Sequence, residues 1–486
     1  MDSEGQKVSR TRRSPNLVSV GVLTAVVYLA TLLFYLKGPQ SHSRTAKQVF
    51  ACLSVIALLF LFWKGYQLVS RAHQPESLRM IVGFAAVFAF IAFLTFPFHS
   101  TDVFGYINRG WQQVHYGQNP YVYSLAQVPN WQQDPMLRDH WIYNPNPYGF
   151  LFTLLASLLC WIGNGNWWLT LFLFKGINIL AYAATAWLVW SGAKRLGQKK
   201  PVTVLYLFLW NPLILMHCIA NGHNDILTGF LIVLAIYLAI VGQWFWIIPT
   251  LAAASLLKYA PGLVLPVAFV FVVKNKGWTI AVSSCLAAGL LVALVSFPFL
   301  LDWTLFEFKV RLADIQVNAT LIDNSLHSFL IHIFENIARL IPALTPLHGI
   351  VDTGIKTTLR VGFVLFLVFQ WLKIPKYFTV RTLTKKSLII LFVLLCVVTS
   401  KFNAWYMAMI LPLALLLDED YWLRRLVVLI SCAELLSLTF FKQAYIVNYF
   451  AMVLVPAWIV FRQERKRRNL SPSAIKIERP LSPNPG

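Results

Sequence analysis

Long apolar runs recur along the whole chain, separated by short polar segments. Most runs come close to the roughly 20 apolar residues that an α-helix needs to cross a bilayer core of about 30 Å. The pattern predicts an all-α polytopic membrane protein with about fourteen spans. These spans are residues 17–36, 48–70, 79–98, 166–192, 201–219, 223–241, 243–257, 259–273, 277–300, 354–373, 386–400, 403–417, 421–441 and 444–462.

The composition supports a bilayer rather than water as the solvent of this protein. Of its 486 residues, 58% are hydrophobic and 12% are charged, against about 25% charged residues in soluble domains. Too little polar surface remains to face water on all sides. We predict a basic cytoplasmic tail (1–16), one transmembrane domain (17–462) and a second basic cytoplasmic tail (463–486).

The net charge of +22 comes from cationic clusters between the apolar runs. Such clusters are typical of cytoplasmic loops in membrane proteins. They predict that both termini of this multi-pass protein are cytoplasmic, and that its partners include membrane lipids rather than nucleic acid. The clusters contain Arg10, Arg12 and Arg13; Lys194, Arg195, Lys199 and Lys200; Lys373, Lys376, Arg381, Lys385 and Lys386; and Arg465, Lys466, Arg467 and Arg468.

Two long segments, 99–147 and 301–352, fall on the outer side of this topology, and the second has an amphipathic helix near 325–341. The apolar run 148–163 is too short to cross confidently. We interpret it as a juxtamembrane or re-entrant helix on the outer face. Segment 99–147 is rich in Trp, Tyr, Asn and Gln, as a sugar-binding cleft would be. An interfacial aromatic belt is the alternative.

Asp102 is the first candidate for chemistry, because it follows the third span directly. An unpaired carboxylate at a membrane edge is costly, and we expect partial burial to raise its pKa toward the range of a general base. A helix cap, or an ion pair with Arg109, would explain the residue equally well.

Two further polar features interrupt apolar runs. Asn221-Gly-His223-Asn224-Asp225 fills a hairpin between spans, where an Asn-Gly turn with a capping Asp is the alternative to a binding site. Lys258 lies at a break between two short spans, and Lys401 has a similar outer position. Either lysine could bind a lipid-linked phosphate or extend toward the headgroups. His217 and His223 are too few and too poorly spaced, and the six cysteines too scattered, to predict a metal site.

In order along the chain, seven short motifs resemble those of the GT-C superfamily, in particular the polyprenol-phosphate-mannose-dependent α-1,6-mannosyltransferases of bacteria. The motifs are Asp102-Val-Phe-Gly-Tyr106, Gly117-Gln-Asn-Pro-Tyr121, Tyr143-Asn-Pro-Asn-Pro147, Asn221-Gly-His-Asn-Asp225, Leu257-Lys-Tyr-Ala-Pro261, Asn324-Ser-Leu-His327 and Trp405-Tyr406.

The resemblance implies a GT-C-type bundle with outer juxtamembrane helices in a bacterial inner membrane. It implies sugar transfer with inversion from a polyprenyl-phosphate donor to a glycan or glycolipid acceptor, without cofactor or metal. Asp102 would be the catalytic base. Donor or substrate binding would fall to Tyr106, Arg109, Tyr121, Asn221, His223, Asn224, Asp225, Lys258, Lys401, Trp405 and Tyr406.

A membrane mannosyltransferase is therefore the expected function. The alternative is a multi-span transporter or flippase of lipid-linked glycans. Transporters usually place ionisable residues inside their spans, and here Lys175 and Glu434 are the main examples. A single outer cluster of Asp102, His223 and Lys258 would favour the enzyme.

The predicted topology can be tested with single cysteines at Gln133 and Ser471 in a cysteine-free background. In intact cells, a membrane-impermeant maleimide should label the cysteine at 133 and leave the one at 471 unlabelled until the cells are lysed. Labelling at 471 in intact cells would invert the predicted orientation.

Overall fold

The computed structural model describes residues 16–36, 38, 41–71, 76–301, 325–440 and 445–470. Most of both predicted tails, and residues 302–324 of the second outer segment, lie outside the described residues. The described part contains eighteen α-helices and no β-strand. The helices are α1 (Leu17–Phe34), α2 (Arg44–Arg71), α3 (Glu76–Leu94), α4 (Asp102–Tyr116), α5 (Phe150–Gly163), α6 (Trp167–Arg195), α7 (Pro201–Leu209), α8 (Asp225–Ile240), α9 (Ile247–Leu257), α10 (Leu265–Lys276), α11 (Trp278–Leu300), α12 (Leu326–Leu340), α13 (His348–Leu372), α14 (Val380–Val393), α15 (Met407–Leu415), α16 (Trp422–Phe440), α17 (Tyr445–Tyr449) and α18 (Val455–Leu470).

This architecture confirms the all-α polytopic class, and each of the fourteen predicted spans overlaps a helix. Among the described residues, seven helical segments are long and apolar enough to cross a membrane. An eighth results if Pro201–Leu209 and Ile214–Ala220, bent by 52°, form one span. The seven are Leu17–Phe34, Arg44–Arg71, Ser77–Leu94, Trp167–Arg195, Trp278–Leu300, Pro342–Leu372 and Ile446–Arg467.

The other predicted spans are shorter or interrupted, and packing explains how they persist. Helix α8, for example, has 16 residues and packs against α6, α9 and α15. A helix that is enclosed by protein need not match the thickness of the hydrocarbon core, because neighbouring helices rather than lipid surround it. Gly229 permits the close approach of α8 to α15, since a Cβ there would lie 2.5 Å from the Ala408 carbonyl oxygen.

The intramembrane Lys175 has a structural explanation. Its side chain is buried in α6, and its Nζ donates hydrogen bonds to the carbonyl oxygens of Ala92 (3.1 Å) and Thr95 (2.5 Å) at the end of α3. The last carbonyls of a helix have no partner within the helix, and the helix dipole favours a cation there. Lys175 therefore ties α6 to the C-terminus of α3.

Helices α4 and α5 are two short helices in the segments predicted to lie on the outer side. With 15 and 14 residues, they are about 22 and 21 Å long, less than the bilayer core of about 30 Å. Gly110 lets them touch, because a Cβ at this position would lie 2.5 Å from the Ala156 carbonyl oxygen. In the second outer segment, the predicted amphipathic helix near 325–341 is present as α12.

The loop between α4 and α5 has a hydrophobic core of its own. Its buried members are Leu125, Val128, Leu137 and Ile142. The loop ends at Gly149, whose N–H donates to the Leu257 carbonyl oxygen at 3.1 Å. This contact joins the loop to the end of α9, so residues 117–149 hold a defined position over the bundle.

We predict that Gly149→Ala destabilises the protein. A Cβ at Gly149 would lie 2.2 Å from the Leu256 carbonyl oxygen, and overpacking of this kind costs about 1–3 kcal/mol. The apparent Tm in detergent should fall. Gly289→Ala is the control, because no atom lies within 4 Å of the added Cβ. Equal Tm values for the two variants would contradict the close contact.

Candidate active site

Polar side chains from several distant segments meet at one end of the helix bundle. They come from the beginning of α4, the loop that follows it, the turn 221–224, the beginning of α8, the end of α9, and residues 401–406. Asp102, His223, Asp225 and Lys258, all selected from the sequence, lie in this cluster. The structure therefore brings together residues that the chain separates by up to 156 positions.

Asp102 lies in the first turn of α4, between two imidazole rings. Its Oδ1 is 3.6 Å from His140 Nε2, and its Oδ2 is 3.6 Å from His223 Nδ1. The Thr101 hydroxyl holds the other ring nitrogen of His140, with 2.9 Å between Oγ1 and Nδ1. Gly105 makes room for this ring, because a Cβ there would lie 2.8 Å from His140 Cδ2.

The pKa of the Asp102 carboxyl is lowered to about 2. Burial acts to raise it, but His140, His223 and Lys258 together outweigh the burial. The expectation that burial would raise this pKa toward neutrality is therefore wrong. Partial burial alone would have that effect, but the basic groups around the carboxylate cannot be seen in the local sequence. Asp102 is an ionised acceptor at neutral pH.

His223 is completely enclosed and lies flat against Trp405. The two rings are 3.9 Å apart between centroids, with an interplanar angle of 16°. Burial lowers the pKa of His223 to about 4, although Asp102 acts to raise it. The ring is therefore neutral at neutral pH. It can hydrogen-bond through one nitrogen as a donor and the other as an acceptor.

Asp225 and Lys258 form the second charged pair of the site. Lys258 Nζ donates to Asp225 Oδ1 at 2.7 Å, and the rings of Tyr148 and Tyr406 lie 5.9 and 5.2 Å from the same ammonium group. Asp225 is in the first turn of α8 and Lys258 caps the end of α9. Both charges therefore have the sign that the adjacent helix dipole stabilises.

Tyr106 and Asn224 lie near the two carboxylates of the site and contact each other. The Tyr106 hydroxyl donates to Asn224 Oδ1 at 3.3 Å, and its ring packs edge-on against Tyr148 at 5.0 Å. Burial raises the pKa of both tyrosines well above the ordinary value. Both phenols are therefore neutral hydrogen-bond donors near the charged groups.

Three residues selected from the sequence make hydrogen bonds that hold the segments of the site together. Asn221 Oδ1 accepts hydrogen bonds from the N–H groups of residues 98, 99 and 100, which fixes the approach to Asp102. Tyr121 donates to the Tyr148 carbonyl oxygen at 2.8 Å. The Arg109 guanidinium donates to Gln112 Oε1 and to the carbonyl oxygens of Trp141 and Asn144.

The structure gives Arg109 other partners than Asp102, and its role in donor binding stays a prediction. Its guanidinium is buried and holds the loop against α4. Lys401 lies beside the site. Its Nζ is 5.2 Å from the ring of Trp141, the residue that follows His140.

The sequence did not single out His140 as a site residue. It is 38 residues from Asp102, in an irregular loop, and no local motif surrounds it. Only the folding of that loop over the beginning of α4 brings the two together. Among the described residues, no group of three or more His, Cys, Asp or Glu side chains is placed to hold a metal ion.

The family described as alpha-(1->6)-mannopyranosyltransferase, N-terminal domain, matches residues 17–274, which is more than half of the chain. The chain belongs to this family. The matched region contains Asp102, His140, His223, Asp225 and Lys258, whereas the segment 401–406 lies beyond it.

Individual relatives match over shorter stretches. Alpha-(1->6)-mannopyranosyltransferase A of Corynebacterium glutamicum is 27% identical over 173 residues, covering 35% of this chain and 34% of that protein. Its namesake in Mycobacterium tuberculosis is 28% identical over 220 residues, covering 42% and 41%. The chain thus spans about a third to two-fifths of these relatives. No solved structure matches it.

We predict that the contributions of Asp225 and Lys258 to stability depend on each other. Asp225 is fully buried and the Lys258 side chain is 16% exposed, so Lys258→Met strands a buried carboxylate, at a cost of about 3–5 kcal/mol. Asp225→Asn in the same chain should restore most of the apparent Tm. Lys199→Met, at an exposed position, is the control. A double variant no more stable than Lys258→Met would refute the coupling.

Proposed function

We propose that this protein is a membrane glycosyltransferase that moves mannose from a polyprenyl-phosphate donor to a hydroxyl group of a glycan or glycolipid acceptor. The reaction would take place at the outer face of a bacterial inner membrane and would invert the anomeric centre. One observation carries the proposal: in a member of the mannopyranosyltransferase family, an ionised carboxylate and a lysine meet at one end of an apolar helix bundle.

The proposed step is a direct displacement. The acceptor oxygen forms a bond to the anomeric carbon on the face opposite the phosphate, while the bond from that carbon to the phosphate oxygen breaks. The electron pair of the broken bond leaves with the polyprenyl phosphate. The proton of the acceptor hydroxyl passes to the Asp102 carboxylate. Atoms and charge therefore balance without a cofactor.

Asp102 is a weak base by its pKa of about 2, and this suits a late proton transfer. An alcohol does not lose its proton to such a carboxylate before bond formation. As the new bond forms, the acceptor oxygen becomes positively charged and its proton becomes strongly acidic. A carboxylate that remains ionised at every physiological pH then accepts the proton in the transition state.

The leaving phosphate needs positive charge more than it needs a proton. Lys258 is the first candidate, although it already donates to Asp225. A phosphate could share this ammonium group, since a lysine has three donor hydrogens. Lys401, over Trp141 beside the site, is the second candidate. Electrostatic stabilisation of this kind strengthens as charge develops on the leaving group.

The transporter alternative loses one of its two supporting charges in this structure, while the other, Glu434, is buried in α16. Lys175, one of the two charges that suggested it, holds helix carbonyls at the end of α3. The polar cluster lies where helices begin and end, as expected for a site that meets a lipid-linked donor at the membrane edge.

We predict that Asp102→Asn strongly reduces turnover without loss of fold. Asn is nearly isosteric but cannot accept the proton, so kcat should fall about 10²–10⁴-fold. The assay follows mannose transfer in membranes from polyprenyl-phosphate mannose, with a nucleotide-linked mannose as the alternative donor. Asp139→Asn, an exposed acid on the same outer loop, is the matched control and should keep the wild-type rate.

Two results would overturn the assignment. One is near-normal kcat in a correctly inserted Asp102→Asn protein, after which Asp225 is the next candidate base. The other is an acid limb in the pH–rate profile near pH 6.5, the ordinary pKa of a histidine, because a base with the pKa of Asp102 remains ionised there. Transfer from the nucleotide-linked sugar alone would exclude the lipid-linked donor.

A further inference from the structure

A second concave site lies on the loop side of α4, away from Asp102. It is an open cavity of about 390 Å³, whose walls include Trp111, His115, Tyr116, Asn130, Gln133 and Asp134. We call it the Trp111 cavity. Neither the proposed displacement nor the family match assigns it a role.

Three aromatic rings form one side of the Trp111 cavity. Trp111 and His115 are one helical turn apart on α4 and stack with their centroids 4.6 Å apart at an interplanar angle of 8°. Tyr116 meets His115 edge-on, at 4.8 Å and 89°. Flat apolar faces beside polar edges are the surface on which the C–H faces of a sugar ring pack.

Asp134 fixes these rings in place. Its Oδ2 accepts hydrogen bonds from Trp111 Nε1 at 2.8 Å and from the Tyr116 hydroxyl at 2.7 Å. Its Oδ1 accepts from the Met136 N–H at 2.7 Å. Trp111 and Tyr116 also pack on the small hydrophobic core of the loop. The aromatic wall is therefore formed before any ligand arrives, which reduces the entropic cost of binding.

The cavity also offers hydrogen-bonding groups. Asn130 and Gln133 are exposed, and each carboxamide has both donors and an acceptor for hydroxyl groups. Neither Lys nor Arg is among the described residues that line the cavity. This composition fits a neutral sugar and does not fit a phosphate, which would need positive charge.

The position of the cavity relative to Asp102 suggests which sugar it would bind. Helix α4 begins at Asp102 and carries Trp111, His115 and Tyr116 toward its other end. At 1.5 Å per residue, these side chains begin about 14–21 Å along the helix from Asp102. Residues 106–110 of α4 are buried between the two places, so an oligosaccharide with its reacting hydroxyl at Asp102 would reach this cavity over the surface of the loop 117–149.

We propose that the Trp111 cavity is a distal subsite for a neutral hexose of the acceptor glycan. This inference rests on the proposed function, because it takes Asp102 as the place where the reacting hydroxyl lies. The subsite makes the enzyme sensitive to acceptor length. An acceptor that reaches the Trp111 cavity binds more tightly than one that ends before it, and the chemical step at Asp102 is the same for both.

The test uses the full-length protein in detergent or nanodiscs, and α-1,6-linked mannose oligosaccharides of increasing length as acceptors. The variants are His115→Ala and Gln133→Ala, both at exposed positions, so the fold should tolerate them. Each should raise KM for long acceptors about tenfold, the loss of one good polar or stacking contact. The KM for the shortest acceptor, the KM for the donor and kcat should stay unchanged.

Gln132→Ala is the matched control, because Gln132 is an exposed neighbour of Gln133 that does not line the cavity. It should behave as the wild type with acceptors of every length. A wild-type KM independent of acceptor length, or equal KM changes for long and short acceptors in the two cavity variants, would overturn the subsite.

A binding measurement separates this inference from the proposed function. Saturation-transfer NMR with the oligosaccharides can be carried out on Asp102→Asn, which should turn over far more slowly. If that protein binds long oligosaccharides, and if Gln133→Ala in the same background weakens the binding, the subsite holds even where no mannose transfer is detected. Transfer with no effect of His115→Ala or Gln133→Ala on binding would leave the proposed function intact and refute the subsite.

Discussion

The cost of placing charge in an apolar helix bundle is the constraint on which this structure depends. Asp225 has no solvent exposure, and Asp102 has little. Isolated carboxylates in such surroundings would be strongly unfavourable. The fold offsets this cost with an ammonium group 2.7 Å from Asp225, and with the positive ends of two helices, whose first turns contain Asp102 and Asp225. The same arrangement keeps the charged forms available for chemistry.

Close backbone contacts between distant segments hold these charged residues in position. Gly149 lets the loop after α4 bond to the end of α9, one residue before Lys258. Asn221 holds the segment before α4 through three backbone N–H groups. Both contacts join elements that are distant in sequence, and both end beside a charged residue of the site. The supporting residues therefore set the distances between the functional ones, and Arg109 belongs with them.

The two ends of α4 have different chemical characters, as the proposed transfer to a long acceptor would require. Asp102, at the beginning of the helix, is surrounded by basic and phenolic groups. Trp111, His115 and Tyr116, near its end, form an aromatic wall with exposed carboxamides nearby. A single short helix could thus present both a reactive group and a binding surface at a fixed separation. The rigid loop behind it, with its own core, holds the second surface in position.

The sequence by itself determined the class of fold and several members of the site. Helical spans follow from local apolar runs, because an α-helix makes all the hydrogen bonds of its backbone within its own segment, which the bilayer requires. Asp102, His223 and Lys258 stood out because polar residues beside such runs are costly. The sequence could not show that His140 lies against Asp102, that Lys258 pairs with Asp225 over 33 residues, or that Lys175 binds helix carbonyls. It also gave the wrong direction for the Asp102 pKa. Only the tertiary structure decided these points, because a pKa, an ion pair and a buried lysine all depend on groups that long-range packing brings within a few ångströms.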